Sequence, residues 1–144
     1  MGLELERVDP GIAVLRLDRP ERRNALDSAT LRELLEHLEA LAAEDGLRAL
    51  VLSSTDPRAL PAGADVAEQL DAEGGNARME LFAQLYAAWD GFPAPLVCAC
   101  HGDVLGAGAE LAAGADLRVA GDNLRIGWVG APRSPPTRPG ACVR

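Results

Sequence analysis

His101-Gly102-Asp103-Val104-Leu105-Gly106-Ala107-Gly108-Ala109-Glu110-Leu111 is the stretch on which the reading of this chain turns. An apolar run, Pro95 to Cys100, leads into it, and three glycines fall within seven residues. A helix-like segment follows, opened by a single carboxylate, Glu110. Glycine lets backbone approach backbone or ligand with no Cβ in the way. A helix start presents N–H groups that can hold developing negative charge. The stretch therefore reads as a strand, a tight glycine turn and a helix N-terminus with one acid beside it. Such a place suits anion or oxyanion chemistry. A tight packing turn between strand and helix is the plainer alternative. A dinucleotide loop is disfavoured, because the third glycine of G-x-G-x-x-G would fall at Leu111, and no Gly-Lys-Ser/Thr is present for a P-loop.

The 144 residues are enough for one domain with a core. Apolar content of 48% and charged content of 25% are those of an ordinary globular protein. A net charge of −8 argues against a nucleic-acid partner and against an anionic membrane surface. All 14 basic residues are arginine, a bias that goes with a GC-rich coding sequence. No apolar run has the length of a transmembrane helix, and Met1 to Val8 alternates acidic and apolar residues, unlike a signal peptide. Cys98, Cys100 and Cys142 make an odd count that fits a reducing cytoplasm better than a disulfide framework. Cys98-x-Cys100 lacks a second pair for a metal site, so no metal is expected; two thiols buried on one face of a strand is the expectation.

In chain order, Asp9-Pro10-Gly11 is a turn and Ile12 to Leu17 a strand. Asp18 to Asn24 is a polar, basic loop. Asp27 or Ser28 caps a helix whose Leu31, Leu34, Leu35, Leu38 and Leu41 form one apolar face, ended by Asp45-Gly46. Leu47 to Ser53 is a second strand. After a loop, Pro61-Ala62-Gly63-Ala64-Asp65 is a run of small residues that leaves backbone N–H groups accessible, and the segment through Leu70 is compatible with a helix. Asp71 to Asn76 reads as a mobile polar linker. Met79, Phe82, Ala83, Leu85, Tyr86 and Trp89 form a further helical face, packed in the core. Pro95 to Cys100 is the third strand, Glu110 to Ala113 a short helix, and Leu117 to Ala120 and Leu124 to Ile126 two more strands. Strands alternating with helices predict an α/β layered domain. Two small-residue loops, each following a strand, could converge their amides on one point, as an oxyanion hole requires.

Three motifs, in order, resemble those of the enoyl-CoA hydratase/isomerase (crotonase) superfamily. Arg19-Pro20 through Arg23-Asn24-Ala25-Leu26 is similar to its entry loop, and Ala62-Gly63-Ala64-Asp65 to its Ala-Gly-Ala-Asp signature. Gly102 through Leu111 is similar to Gly-x-Ala-x-Gly-Gly-Gly-x-Glu-Leu, with Val104 and Ala107 as mismatches. The resemblance covers roughly residues 3 to 130. It implies the ClpP/crotonase spiral of β-β-α units, incomplete at the C-terminus, and acyl-CoA thioesters as substrates. It implies no cofactor beyond the coenzyme A of the substrate, and assembly of the full-length family as trimers or hexamers. The N–H groups of Ala64 and Ala107 would form the oxyanion hole, and Glu110 would be the catalytic acid/base. Arg23, Ala25, Ala62, Gly63 and Asp65 would lie along the coenzyme, with Arg22 or Arg23 near its phosphates.

Two departures accompany the resemblance. Gly130 stands where hydratases carry a second catalytic glutamate. Residues 131–144, APRSPPTRPGACVR, hold four prolines, three arginines and no acid, and are expected to be a disordered tail following a domain at 1–130. The change in composition is what an out-of-frame reading of a GC-rich gene would give, so a frameshifted or truncated product is expected. Two functions follow from these readings: an acyl-CoA hydratase/isomerase-type enzyme, or an acyl-CoA-binding remnant without chemistry.

Overall fold

The leucines at helical spacing bury as their period requires. In the computed structural model, which describes residues 2–128, helix α1 (Ser28–Ala42) sinks Leu31, Leu34, Leu38 and Leu41 into the core, each such burial contributing about 1.5–3 kcal/mol. Leu35 packs at its margin. Asp27 is the cap, its carboxylate accepting the Thr30 N–H at 2.8 Å. Helix α2 (Ala72–Asp90) lies against α1 and buries Phe82, Leu85 and Trp89.

These helices cover a five-stranded sheet ordered β1-β2-β3-β4-β6. Its strands are β1 (Leu3–Asp9), β2 (Ile12–Leu17), β3 (Ala49–Ser54), β4 (Leu96–Cys100) and β6 (Leu117–Ala120). The first pair is antiparallel and the others parallel. A second sheet pairs β5 (Asp103–Leu105) with β7 (Arg125–Gly127) in parallel. Helix α3 (Ala107–Gly114) follows β5. From β4 onward the chain places one strand in each sheet on every pass, β4 then β5, α3, β6 then β7. That stepping is the unit of the expected spiral.

Several boundaries differ from the sequence reading. The expected helix after Asp65 does not form, and residues 66–71 are turn, bend and irregular chain. The expected linker, Asp71 to Asn76, is instead the start of α2. Asp71 caps it, accepting the Gly74 N–H at 2.8 Å, and this offsets the helical cost of Gly74 and Gly75, about 1 kcal/mol each. Strand β1 carries acids on an exposed face, which hid it. Strand β5 runs through the segment read as a plain turn, and α3 begins at Ala107 rather than Glu110. Cys98 and Cys100 are buried on one side of β4, as expected. Among the described residues no helix is long and apolar enough to cross a membrane. The expected tail, 131–144, and Gly130 lie outside the described residues.

Candidate active site

The entry loop is built around Asn24. Arg23 and Asn24 both adopt left-handed backbone, with φ of 49° and 56°, a conformation asparagine tolerates better than most residues. The fully buried Asn24 amide accepts the Arg19 N–H at 2.7 Å and donates to Ser54 Oγ at 2.6 Å and to the Ala59 carbonyl at 2.9 Å. Its neighbour Arg19 binds the Ala25 carbonyl, Asp27 at 2.7 Å and Asp65 at 3.4 Å. The entry loop and the Ala-Gly-Ala-Asp loop are thus joined through one guanidinium.

That junction sets the direction of the Ala64 amide. Leu26 bridges Ala64 in parallel: the Leu26 N–H donates to the Gly63 carbonyl at 2.8 Å, and the Asp65 N–H donates to the Leu26 carbonyl at 2.9 Å. In a planar trans peptide the N–H points opposite to the C=O. With the Gly63 carbonyl aimed at Leu26, the Ala64 N–H points away from it.

The second loop approaches through glycine. A Cβ on Gly106 would lie 3.6 Å from the Gly63 Cα, and one on Gly63 would lie 3.6 Å from the Leu105 carbonyl oxygen. A Cβ on Gly108 would stand 2.3 Å from the Pro61 carbonyl oxygen, and one on Gly102 2.2 Å from that of Arg58, so neither position admits a side chain. The Leu105 N–H donates to the Pro61 carbonyl at 3.2 Å. Gly106, at φ 52° and with no side chain to cap the helix, precedes α3. The N–H groups of the first turn of α3 have no partner within the helix, and Ala107 is the first of them. The structure therefore brings Gly63 against Leu105 and Gly106, the residues next to Ala64 and Ala107 in sequence. Glu110 follows one turn along α3, exposed, in a groove with Tyr86, Trp89 and Asp90 of α2. Burial and then the charge of Glu110 push the Tyr86 phenol above its ordinary value.

Other positions expected along the coenzyme divide. The Ala62 N–H donates to the Arg23 carbonyl at 3.2 Å and the Asp65 N–H is taken by Leu26, so neither amide is open to a ligand. The Asp65 carboxylate turns inward, accepting the Ala67 N–H at 3.0 Å as well as Arg19. The Ala25 carbonyl is held by Arg19. Arg23 pairs with Asp103 at 3.1 Å, and the other Asp103 oxygen takes Arg125 at 2.7 Å. Arg22 is exposed. His101 sets each ring nitrogen 3.1 Å from a carbonyl oxygen, of Ala99 and Asp56, and ties the end of β4 to the loop after β3.

Sequence reasoning missed Arg78 and Glu68. Arg78 donates to the Asp65 carbonyl at 2.8 Å and to Glu68 at 3.2 Å. One signal pointed there: Arg78 is the sole arginine between Arg58 and Arg118, in a stretch rich in acids.

Comparison with known proteins shows the family and the fold. The enoyl-CoA hydratase/isomerase family model matches residues 7–131. The chain belongs to that family. The 2,3-dehydroadipyl-CoA hydratase of Escherichia coli K12 is 38% identical over 116 residues, covering 81% of this chain and 45% of that protein. A crystal structure of enoyl-CoA hydratase from Bacillus anthracis superimposes with a TM-score of 0.85 at 25% identity, over 89% of this chain and 50% of that one. The enoyl-CoA hydratase of Mycobacterium smegmatis gives a TM-score of 0.77 at 32% identity, over 83% and 48%. This enoyl-CoA hydratase/isomerase family member thus spans just under half the length of the curated relative it matches.

Proposed function

We propose that this chain binds acyl-CoA thioesters and stabilises the thioester enolate between the N–H groups of Ala64 and Ala107, with Glu110 as the proton-transferring carboxylate. The observation that carries the reading is the approach of Gly63 and Gly106, the residues before Ala64 and Ala107, together with the direction of the Ala64 amide away from Leu26. When a proton leaves the carbon beside a thioester carbonyl, or a nucleophile adds to the conjugated double bond, negative charge gathers on the carbonyl oxygen. Two fixed donors at that oxygen meet charge as it develops, each contributing about 3 kcal/mol. Backbone donors need no particular side chain, so alanine at 107 serves as glycine would. Glu110, one turn into the same helix, can accept or deliver the proton. With Gly130 in place of a second glutamate, the proton chemistry of this chain rests on one carboxylate. No cofactor is required beyond the coenzyme A carried by the substrate. Association as trimers or hexamers is proposed for the full-length family only, and a cytoplasmic location belongs to the same proposal. The enzyme names of the relatives lend no support to a remnant without chemistry.

Calorimetric titration with crotonyl-CoA tests the reading, followed by turnover of the wild type and Glu110→Gln. Saturable binding with turnover lowered about 10²-fold or more in the variant is expected. A folded sample that does not bind overturns the site. Equal turnover in the variant removes Glu110 from the chemistry.

A further inference from the structure

We infer that Arg78 and Glu68 form a positioning clamp for the Ala64 amide, an inference that rests on the oxyanion reading above. Upstream, the Gly63–Asp65 segment is held by Leu26. Downstream, residues 66–71 have no regular structure to hold them. What fixes that side is a chain of side-chain bonds. Arg78 reaches from α2 to the Asp65 carbonyl, 2.8 Å away, and to a Glu68 oxygen at 3.2 Å. The two Glu68 oxygens accept the Ser28 N–H at 3.2 and 3.1 Å, at the first residue of α1. The Glu68 N–H also donates to the Asp65 carbonyl at 3.3 Å. Ser28 lies two residues after Leu26, so the Glu68 bond continues the pairing that orients Ala64. Arg78 and Glu68 are both four-fifths buried, with side chains 20% exposed, so the pair is shielded from the screening that weakens surface ion pairs. Arg78 of α2 and the Glu68 N–H thereby meet on the carbonyl of the residue following the donor, and Glu68 ties that point to the start of α1.

Neither side chain is placed to touch a reacting atom; both act through backbone. A donor displaced by about 1 Å can lose about 10²-fold in rate while ground-state binding is kept, so the clamp should show in polarisation of the carbonyl rather than in affinity. Cinnamoyl-CoA is the probe, because a conjugated thioester absorbs further to the red when its carbonyl is polarised. The wild type is expected to bind it with a red shift. Arg78→Gln should bind it within about threefold of the wild-type affinity, lose half or more of the shift, and lower kcat on crotonyl-CoA about tenfold or more with little change in KM. Arg78→Lys, which can still donate to the Asp65 carbonyl, should recover most of the shift. Glu68→Gln, which keeps an acceptor for Ser28, serves if Arg78→Gln does not fold, and should lose a smaller part. A full red shift in folded Arg78→Gln, or in folded Glu68→Gln where that variant stands in, overturns the clamp alone. Wild-type protein that binds the probe with no red shift, or fails to bind it, overturns the oxyanion reading and the clamp with it.

Discussion

Asn24 shows how a family motif can be scaffold rather than chemistry. Its amide closes three hydrogen bonds while its backbone sits at φ 56°. Asn24→Gly keeps the conformation and loses the bonds; Asn24→Ala loses the bonds and adds left-handed strain of about 1–2 kcal/mol. Urea unfolding should therefore rank wild type above Gly above Ala, the last two separated by about 1 kcal/mol. Equal stability of the two variants would mean that residue 24 is not held left-handed. Tyr86 offers a second measurement at this scale, because it is the single tyrosine of the chain. Its phenolate absorbance near 295 nm should titrate above the ordinary 10.0. Burial is the larger cause and the charge of Glu110 the smaller, so Glu110→Gln should bring the midpoint part of the way down. A midpoint unmoved by that variant would separate the two side chains.

Helix α3 is short and takes its stability from its neighbours. Its last carbonyls lack intrahelical donors. Trp89 Nε1 of α2 donates to the Leu111 carbonyl at 2.9 Å, and Arg118 of β6 donates to the Ala112 carbonyl at 3.0 Å and the Ala115 carbonyl at 2.6 Å. A cation at that end also complements the helix dipole. Because the same helix begins at Ala107, its fixation bears on the proposed Ala107 donor. Trp89→Phe keeps most of the buried ring and leaves the Leu111 carbonyl without its donor, at a cost of about 1–3 kcal/mol. Denaturant unfolding checks this, and a change below a few tenths of a kcal/mol would mean that the bond contributes nothing. Of these contacts only the apolar character of Trp89 was visible in sequence, since its partner lies twenty-two residues away.

At the scale of the molecule, acid should loosen the loops that frame the site. Asp56 is held below its ordinary 3.8 by its hydrogen bonds with Arg58, against burial. For Asp27, burial pushes upward, and its hydrogen bonds from Thr30 together with the charge of Arg19 outweigh it, leaving it lowered as well. A carboxylate with a depressed native pKa contributes its full stability above the unfolded value and loses it as pH falls through the native one. Unfolding free energy should thus decline on acidification below about pH 4. Asp56→Asn should make that decline shallower, and an unchanged slope would show that the Arg58 pair is not a source of acid sensitivity.

Periodicity settled the elements whose stability is local or whose burial is one-sided. The leucine face of α1, the apolar strands β2, β3 and β4, and the two cysteines alternating inward on β4 were all legible, because a repeat of 3.6 or 2 residues is imposed by which side meets the core. The glycine spacing pointed to backbone chemistry for the same kind of reason: Gly108 stands where a Cβ would block a close approach, and Gly106 where the backbone turns left-handed. Other features could not be read along the chain. The segment after Asp65 has helical composition, yet Leu26, Ser28 and Arg78 offer its backbone and carboxylates partners that a helix would forgo. The glycines after Asp71 look like a linker, yet the Asp71 cap and packing on α1 make them helix. That the Ala64 and Ala107 segments meet is decided by the bridge of Leu26 to Ala64 and the contact of Gly63 with Gly106. These join residues far apart in sequence, and only three-dimensional packing sets such distances.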